Sequence, residues 1–194
     1  MVRLIGKNKL NCAVFISGRG SNLKSIVKFS KKKYSNIDLK LVISSNPVAL
    51  GINYAKKNNI KTKVINYKNL KKAELQILDN LIKEDIKFIF LAGFMKILSK
   101  KIIKKYKNKI INIHPSLLPK YKGLNTHKRA IKNKDNFSGC TVHYVNEKLD
   151  SGKVIMQKKV KILKSDTPEI LSKRILKVEN KLYPKAIKKI LSKI

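Results

Sequence analysis

Two periodicities alternate through the first half of the chain. Short apolar runs at 11–17, 39–44, 62–65 and 87–92 are separated by segments whose apolar side chains recur every three or four positions. The first predicts strands and the second amphipathic helices. Helices are expected at 21–30, with Ser21 or Asn22 as N-cap, at 48–59, and at 70–84, where Leu75, Leu78, Leu81 and Ile82 are placed on one buried face. A strand, helix, strand order returns the chain to the same sheet through right-handed crossovers. The run at 87–92 is nearly all apolar, as a strand covered on both faces must be. The fold class is therefore α/β, a doubly wound, mostly parallel sheet. Ligands of such sheets sit beyond the carboxyl ends of the strands, which singles out the loops after the first strand, after the fourth, and after Ile113.

Past Gly93 the pattern changes. An apolar loop at 94–98 precedes a short helix capped by Ser99 and ending at Tyr106, and a fifth strand is expected at 109–113. A loop marked by proline and glycine runs over 115–123, followed by a helix at 126–132. Segments 139–145 and 154–161 alternate polar and apolar residues, the signature of an antiparallel pair near the C-terminal end. Thr167, Pro168 and Glu169 open a last helix with proline in its first turn, expected to break near Pro184. No repeat or linker divides the 194 residues, so one domain over 12–194 is expected behind an N-terminal extension of 1–11.

Charge is the most unusual feature of the composition. The 46 basic residues outnumber the 11 acidic ones, for a net charge of +35, which would suit a phosphate-binding surface. Only four of them are Arg, however, leaving 42 Lys spread over nearly every segment. Arg is the better bidentate reader of phosphate and base edges. With Ile and Asn also abundant, the charge reads as chain-wide drift of the kind A/T-biased coding produces, with general attraction to anions and no specific nucleic-acid partner. Cys12 and Cys140 are too few for a disulfide framework and show no metal-ligand spacing, so they are expected as small buried strand residues in a reducing compartment, without a metal. Neither a signal-like start nor a run near the ~18 apolar residues of a membrane span occurs. A soluble cytoplasmic protein with no membrane partner is expected.

Three stretches carry candidate chemistry. In Ile111-Asn112-Ile113-His114-Pro115, strand alternation puts Asn112 and His114 on one face. That pairs an amide donor with a titratable ring, although a strand-end turn former beside a hydrogen-bonded histidine would read the same. Ser17-Gly18-Arg19-Gly20-Ser21-Asn22-Leu23 joins a strand to a helix start, where backbone N–H groups can cradle an anion. It lacks both the nucleotide P-loop pattern and the third glycine of a dinucleotide fingerprint, and a plain tight turn would also use two glycines. Leu149-Asp150-Ser151-Gly152 offers a carboxylate that would favour imidazolium if it reached His114, or else an ordinary turn aspartate.

Taken together, Ile16 to Leu23, Leu91-Ala92-Gly93-Phe94-Met95-Lys96-Ile97-Leu98, Asn112 to Gly123 and Leu149 to Gly152 resemble the phosphoribosylglycinamide formyltransferase family, from about Cys12 to the end of the chain. The resemblance implies a formyltransferase-type, Rossmann-like fold and 10-formyltetrahydrofolate as cosubstrate. It assigns the nucleotide phosphate to Gly20, Ser21 and Asn22 and the ribose hydroxyls to Glu179. It assigns the folate to Met95, Lys96, Ile97, Leu98, Asn112 and the loop from Glu147 to Asp150. The catalytic set it implies is Asn112, His114 and Asp150. Asn112 and protonated His114 would serve the developing oxyanion, Asp150 would keep His114 charged and relay protons, and the 115–123 loop would be a mobile rim. The expected partners are small molecules, with the chain a monomer or weak homodimer.

Lys96 stands where the family usually has arginine, so a bidentate contact is lost there. Asn125 stands where histidine is common, and no basic residue falls cleanly near 69–72. Methionyl-tRNA formyltransferase shares an Asn, His and Asp set but resembles a longer chain and lacks Gly-x-Gly-Ser-Asn. A basic RNA-binding module without catalysis would leave the ordered motifs unexplained, and no array of aromatic and basic residues supports it.

Overall fold

The computed structural model describes residues 9–192. In chain order the elements are β1 (Leu10–Ile16), α1 (Ser21–Ser30), β2 (Ile37–Ser44), α2 (Leu50–Lys57), β3 (Lys61–Val64), α3 (Leu70–Lys83), β4 (Phe88–Leu91), α4 (Lys100–Lys105), β5 (Ile110–His114), α5 (Thr126–Lys132), β6 (Phe137–Tyr144), β7 (Val154–Lys161) and α6 (Pro168–Leu191). The strands form one sheet in the order β3-β2-β1-β4-β5-β6-β7. Pairing is parallel from β3 to β5 and antiparallel for β5 with β6 and β6 with β7. The expected fold class is borne out, with an antiparallel addition that also recruits β5.

β1 shows why its run is continuously apolar. Cys12, Val14 and Ile16 enter the core shared with α1 and α6, while Ala13 and Phe15 enter the opposite core with α3 and α4. Alternation sends neighbours to opposite faces, so a strand with no wet face needs apolar residues at every position. Cys12 and Cys140 are both buried in strands, as expected.

Several expectations are corrected. Residues 1–8 of the proposed N-terminal extension lie outside the described residues, and its last two, Leu10 and Asn11, already open β1. The N-cap of α1 is Gly20 and not Ser21 or Asn22, whose side chains bond elsewhere. α3 buries Ala73, Ile77, Leu78 and Leu81, whereas Leu75 and Ile82 are exposed. At 100° per residue the buried arc centres on the 73–77–81 row, and residues 75 and 82 fall more than a quarter-turn away. α6 runs through Pro184 without a break. An interior proline costs roughly 3 kcal/mol, but Leu182, Tyr183, Ala186, Ile187, Ile190 and Leu191 are buried on both sides of it and outweigh that cost.

Tyr183 ties α6 to the sheet. Fully buried, its hydroxyl lies 3.0 Å from the Leu91 carbonyl and 2.8 Å from that of Ile111, bracing the ends of β4 and β5 from the helix side. Burial pushes its acidity far out of range, so it remains a donor. Tyr183→Phe leaves that donor missing in a dry environment and should lower unfolding free energy by about 1–3 kcal/mol, measured by denaturant titration with an unchanged far-UV spectrum.

Candidate active site

The sheet order reverses at β1, which has β2 on one side and β4 on the other, and the loops leaving β1 and β4 meet there. Ser17 N–H donates to the Gly93 carbonyl at 3.1 Å, and Met95 N–H donates to Ser17 Oγ at 2.8 Å. Gly20 is left-handed at φ 74°, and a Cβ on it would stand 2.8 Å from the Gly51 backbone. Only glycine suits that crossing. No side chain caps α1, so its first N–H groups, which have no intrahelical acceptor, point out of the loop at the positive end of the helix. Ser21 Oγ shares a hydrogen bond with Asn180, and Asn22 Nδ2 donates to Glu179 Oε2 at 2.7 Å. Gly20, Ser21, Asn22 and Glu179 are thus brought together, with backbone amides facing outward and the Asn22 side chain turned inward. Glu179 is buried, which pushes its carboxyl up to about 7 against the opposing Asn22 hydrogen bond.

Two strands along, roughly 10 Å at sheet spacing, β5 ends in Asn112 and His114. The antiparallel register sets Asn112 opposite His143 and His114 opposite Thr141. The segment between β6 and β7 folds back over this face and delivers Asp150. His114 Nδ1 is 3.4 Å from Asp150 Oδ2, and His143 Nε2 is 3.6 Å from Asp150 Oδ1. Asp150 Oδ2 also accepts from Gly123 N–H at 2.9 Å, and its backbone is left-handed at φ 44°. His114 Nε2 donates to the Tyr121 carbonyl at 2.9 Å. His143 Nδ1 donates to the Tyr144 carbonyl at 2.8 Å, so its Nε2 can accept from Asn112 Nδ2 at 3.3 Å. One amide hydrogen of Asn112 is spent on that ring, which fixes the amide plane and leaves its second hydrogen for a ligand oxygen.

Burial decides the protonation of this cluster. It lowers His114 below the ordinary histidine value despite the Tyr121 carbonyl and Asp150, with His143 and Arg129 adding to the depression. The expectation that Asp150 holds His114 charged is thereby corrected for the unliganded protein: desolvation at 6% exposure outweighs one carboxylate 3.4 Å away. Asp150 is itself pushed up by burial, but the His143 ring beside it, the Gly123 N–H bond and the nearby His114 more than offset this and keep it low. The site is a buried carboxylate between two rings, beside a fixed amide.

A model of the formyl transferase family matches residues 10–187. The chain belongs to the formyl transferase family. It is 41% identical over 179 residues to the phosphoribosylglycinamide formyltransferase of Haemophilus influenzae, covering 91% of this chain and 84% of that protein. It is 39% identical over 189 residues to the human trifunctional purine biosynthetic protein adenosine-3, covering 96% of this chain and 19% of that one, so it spans about a fifth of that relative's length. Among solved structures, phosphoribosylglycinamide formyltransferase from Anaplasma phagocytophilum superposes with a TM-score of 0.90 at 41% identity, covering 96% of this chain and 88% of that one. The Brucella melitensis enzyme gives 0.90 at 36%, covering 94% and 96%. The resemblance drawn from the four motifs is borne out.

Elsewhere in the structure, Met95, Lys96, Ile97 and Leu98 line a groove of about 530 Å³ closed on its other wall by Tyr67, Leu70, Ala73 and Ile77. Met95 and Ile97 stand exposed, whereas Leu98 is buried. The Lys96 ammonium lies 6.0 Å from the centre of the Tyr67 ring. Glu147 faces Lys100 at 3.8 Å. The loop expected as a mobile rim is stitched down: Thr141 Oγ1 donates to the Ser116 carbonyl and accepts from Leu118 N–H, and Gln157 Nε2 donates to the Leu118 carbonyl. Among the described residues no cluster of His, Cys, Asp or Glu could hold a metal, and no helix is long and apolar enough to cross a membrane.

His143 was not singled out from the sequence. Its signal was scarcity, as one of three histidines in the chain, in a strand whose antiparallel pairing with β5 was not expected.

Glu179 gives a test. In the folded state it keeps its proton to about pH 7, whereas an unfolded glutamate releases it near 4.5. The folded state binds the extra proton within that window, so this residue's contribution to stability falls as pH rises through it. Glu179→Gln should match the parent near pH 4 and exceed it by on the order of 3 kcal/mol at pH 8, read from denaturant midpoints at both pH values.

Proposed function

We propose that the protein transfers the formyl group of 10-formyltetrahydrofolate to the amino group of 5'-phosphoribosylglycinamide. The observation that carries this reading is the Asn112, His114, Asp150 cluster at the end of β5, two strands from an uncapped helix start at α1. That spacing suits a molecule with a phosphate at one end and an amine at the other. The Gly20, Ser21 and Asn22 amides would hold the phosphate, with Glu179 beside them for the ribose. The exposed Met95 and Ile97 side chains supply an apolar bank suited to the flat, largely apolar body of a folate, together with Lys96, Leu98, Asn112, Glu147 and Asp150. The folate brings the formyl carbon, and the chain's own groups do the rest. The free amide hydrogen of Asn112 stabilises negative charge developing on the carbonyl oxygen, in a site dry enough for one donor to count. His114 acts through Nδ1, since Nε2 is committed to Tyr121: protonated there from solvent once the substrates are bound, it donates that hydrogen to the developing oxyanion and keeps the proton when the charge collapses. Asp150, ionised and within reach of that nitrogen, accepts the proton lost by the attacking amine and returns it to the leaving nitrogen. Under this reading the protein is a single formyltransferase domain that works on small molecules in the cytoplasm, as a monomer or weak homodimer.

Folate release should be observed with 5'-phosphoribosylglycinamide as acceptor and not with initiator methionyl-tRNA in a parallel reaction; transfer to the tRNA alone overturns the reading. His114→Ala and Asp150→Asn should each lower kcat by roughly 10²–10⁴-fold while nucleotide binding, followed by calorimetry, is preserved. Near-parental turnover in either variant removes that residue from the mechanism.

A further inference from the structure

The reaction as read leaves one well-defined cluster without a role. Tyr121 lies in the 115–123 loop with φ 56°, a conformation that a bulky residue rarely adopts. Its hydroxyl donates to Asp135 Oδ2 at 2.8 Å and accepts from Asn133 Nδ2 at 3.0 Å. The Arg129 guanidinium lies 5.1 Å from its ring centre, and Nη1 donates to the Lys122 carbonyl at 2.7 Å. Lys120 pairs with Asp135 at 3.1 Å. The Tyr121 hydrogen bond, with Lys120 beside it, holds the Asp135 carboxyl below the usual range. At the other end of the same residue, the backbone carbonyl meets His114 Nε2 at 2.9 Å.

A carbonyl can only accept, so Nε2 must carry its hydrogen whenever that contact is made. Nδ1, facing Asp150, is then the one ring nitrogen able to gain or lose a proton. We propose that Tyr121, anchored by Asp135, Asn133 and Arg129, is the positioning residue that sets the tautomer and ring orientation of His114. This rests on the formyl-transfer reading only in so far as His114 takes part in the reaction. The anchoring groups all come from α5 and the turn after it, so a helix that does not touch the reacting atoms governs which nitrogen faces them. The other groups that act on the ring are Asp150 from the β6–β7 segment, His143 from β6 and Arg129 from α5, with His127 of α5 feeling His114 in turn.

The test uses the full chain labelled with ¹⁵N-histidine. In the parent, neutral His114 should appear as the Nε2–H tautomer. In Tyr121→Phe and Asp135→Ala it should appear as a mixture of both tautomers and titrate at lower pH, because the carbonyl contact that favours the charged ring is loosened. Both variants should lose about tenfold or more in kcat with the nucleotide KM unchanged. The double variant should be no worse than either single one, as expected of residues acting as a unit. Asp135→Asn keeps an acceptor for the tyrosine hydroxyl and should recover most of the lost rate. The imidazole spectra need no substrate, so they judge the positioning role even if formyl transfer itself proves wrong. A parental tautomer in both Tyr121→Phe and Asp135→Ala overturns the proposal, as does a raised nucleotide KM with kcat intact.

Discussion

The reversal of strand direction between β5 and β6 is the constraint on which the site depends. Had β6 joined as another parallel strand, a crossover helix would cover the end of β5, and His143 would have no register that places it opposite Asn112. Because β6 is antiparallel, its ladder locks His143 against Asn112 and Thr141 beside His114. The segment after β6 is then free to fold back and deliver Asp150. The parallel part of the sheet contributes something different, a row of strand ends with an uncapped helix start at the point where the order reverses. Two halves of one sheet, built on different hydrogen-bonding rules, therefore supply the two halves of the site.

Electrostatics within the cluster show burial and charge pairing in competition. His114, Asp150 and Glu179 are each almost removed from water, and the outcome differs with the number of hydrogen bonds each charged form receives. Asp150 accepts a backbone N–H, lies beside two histidine rings and stays ionised. Glu179 has a single amide partner and is pushed up to about 7. His114 faces a carboxylate and a carbonyl, yet burial still lowers it. A lysine-rich surface, however large its total charge, does little to these groups, since most of its cations are exposed and screened.

The sequence made the parallel sheet legible because a strand buried on both faces leaves a continuous apolar run, as at β1 and β4. Asn112, His114 and Asp150 were legible through motifs, and strand alternation predicted that Asn112 and His114 share a face. The misreadings were non-local. Leu75 and Ile82 look like core residues when leucines are counted, but the buried arc of α3 is set by where the sheet lies. Pro184 obeys a local rule that packing on both sides of it overrides. His143 becomes visible only once the register of β5 with β6 is known. The depressed proton affinity of His114 depends on burial, which no spacing encodes. Ser21 and Asn22 have good capping side chains, yet α6 competes for them and wins.

That competition has a consequence for how the protein comes into being. Glu179, Asn180 and Tyr183 all lie on α6, the last of these elements to be made, yet they reach back to the first helix and to the ends of β4 and β5. A nascent chain that has emerged through β7 can pair its strands but holds neither the Asn22 side chain nor the brace across β4 and β5. The α1 end of the candidate site is thus assembled only once α6 has been made, and a chain cut short before Glu179 would carry the sheet without that end of the site.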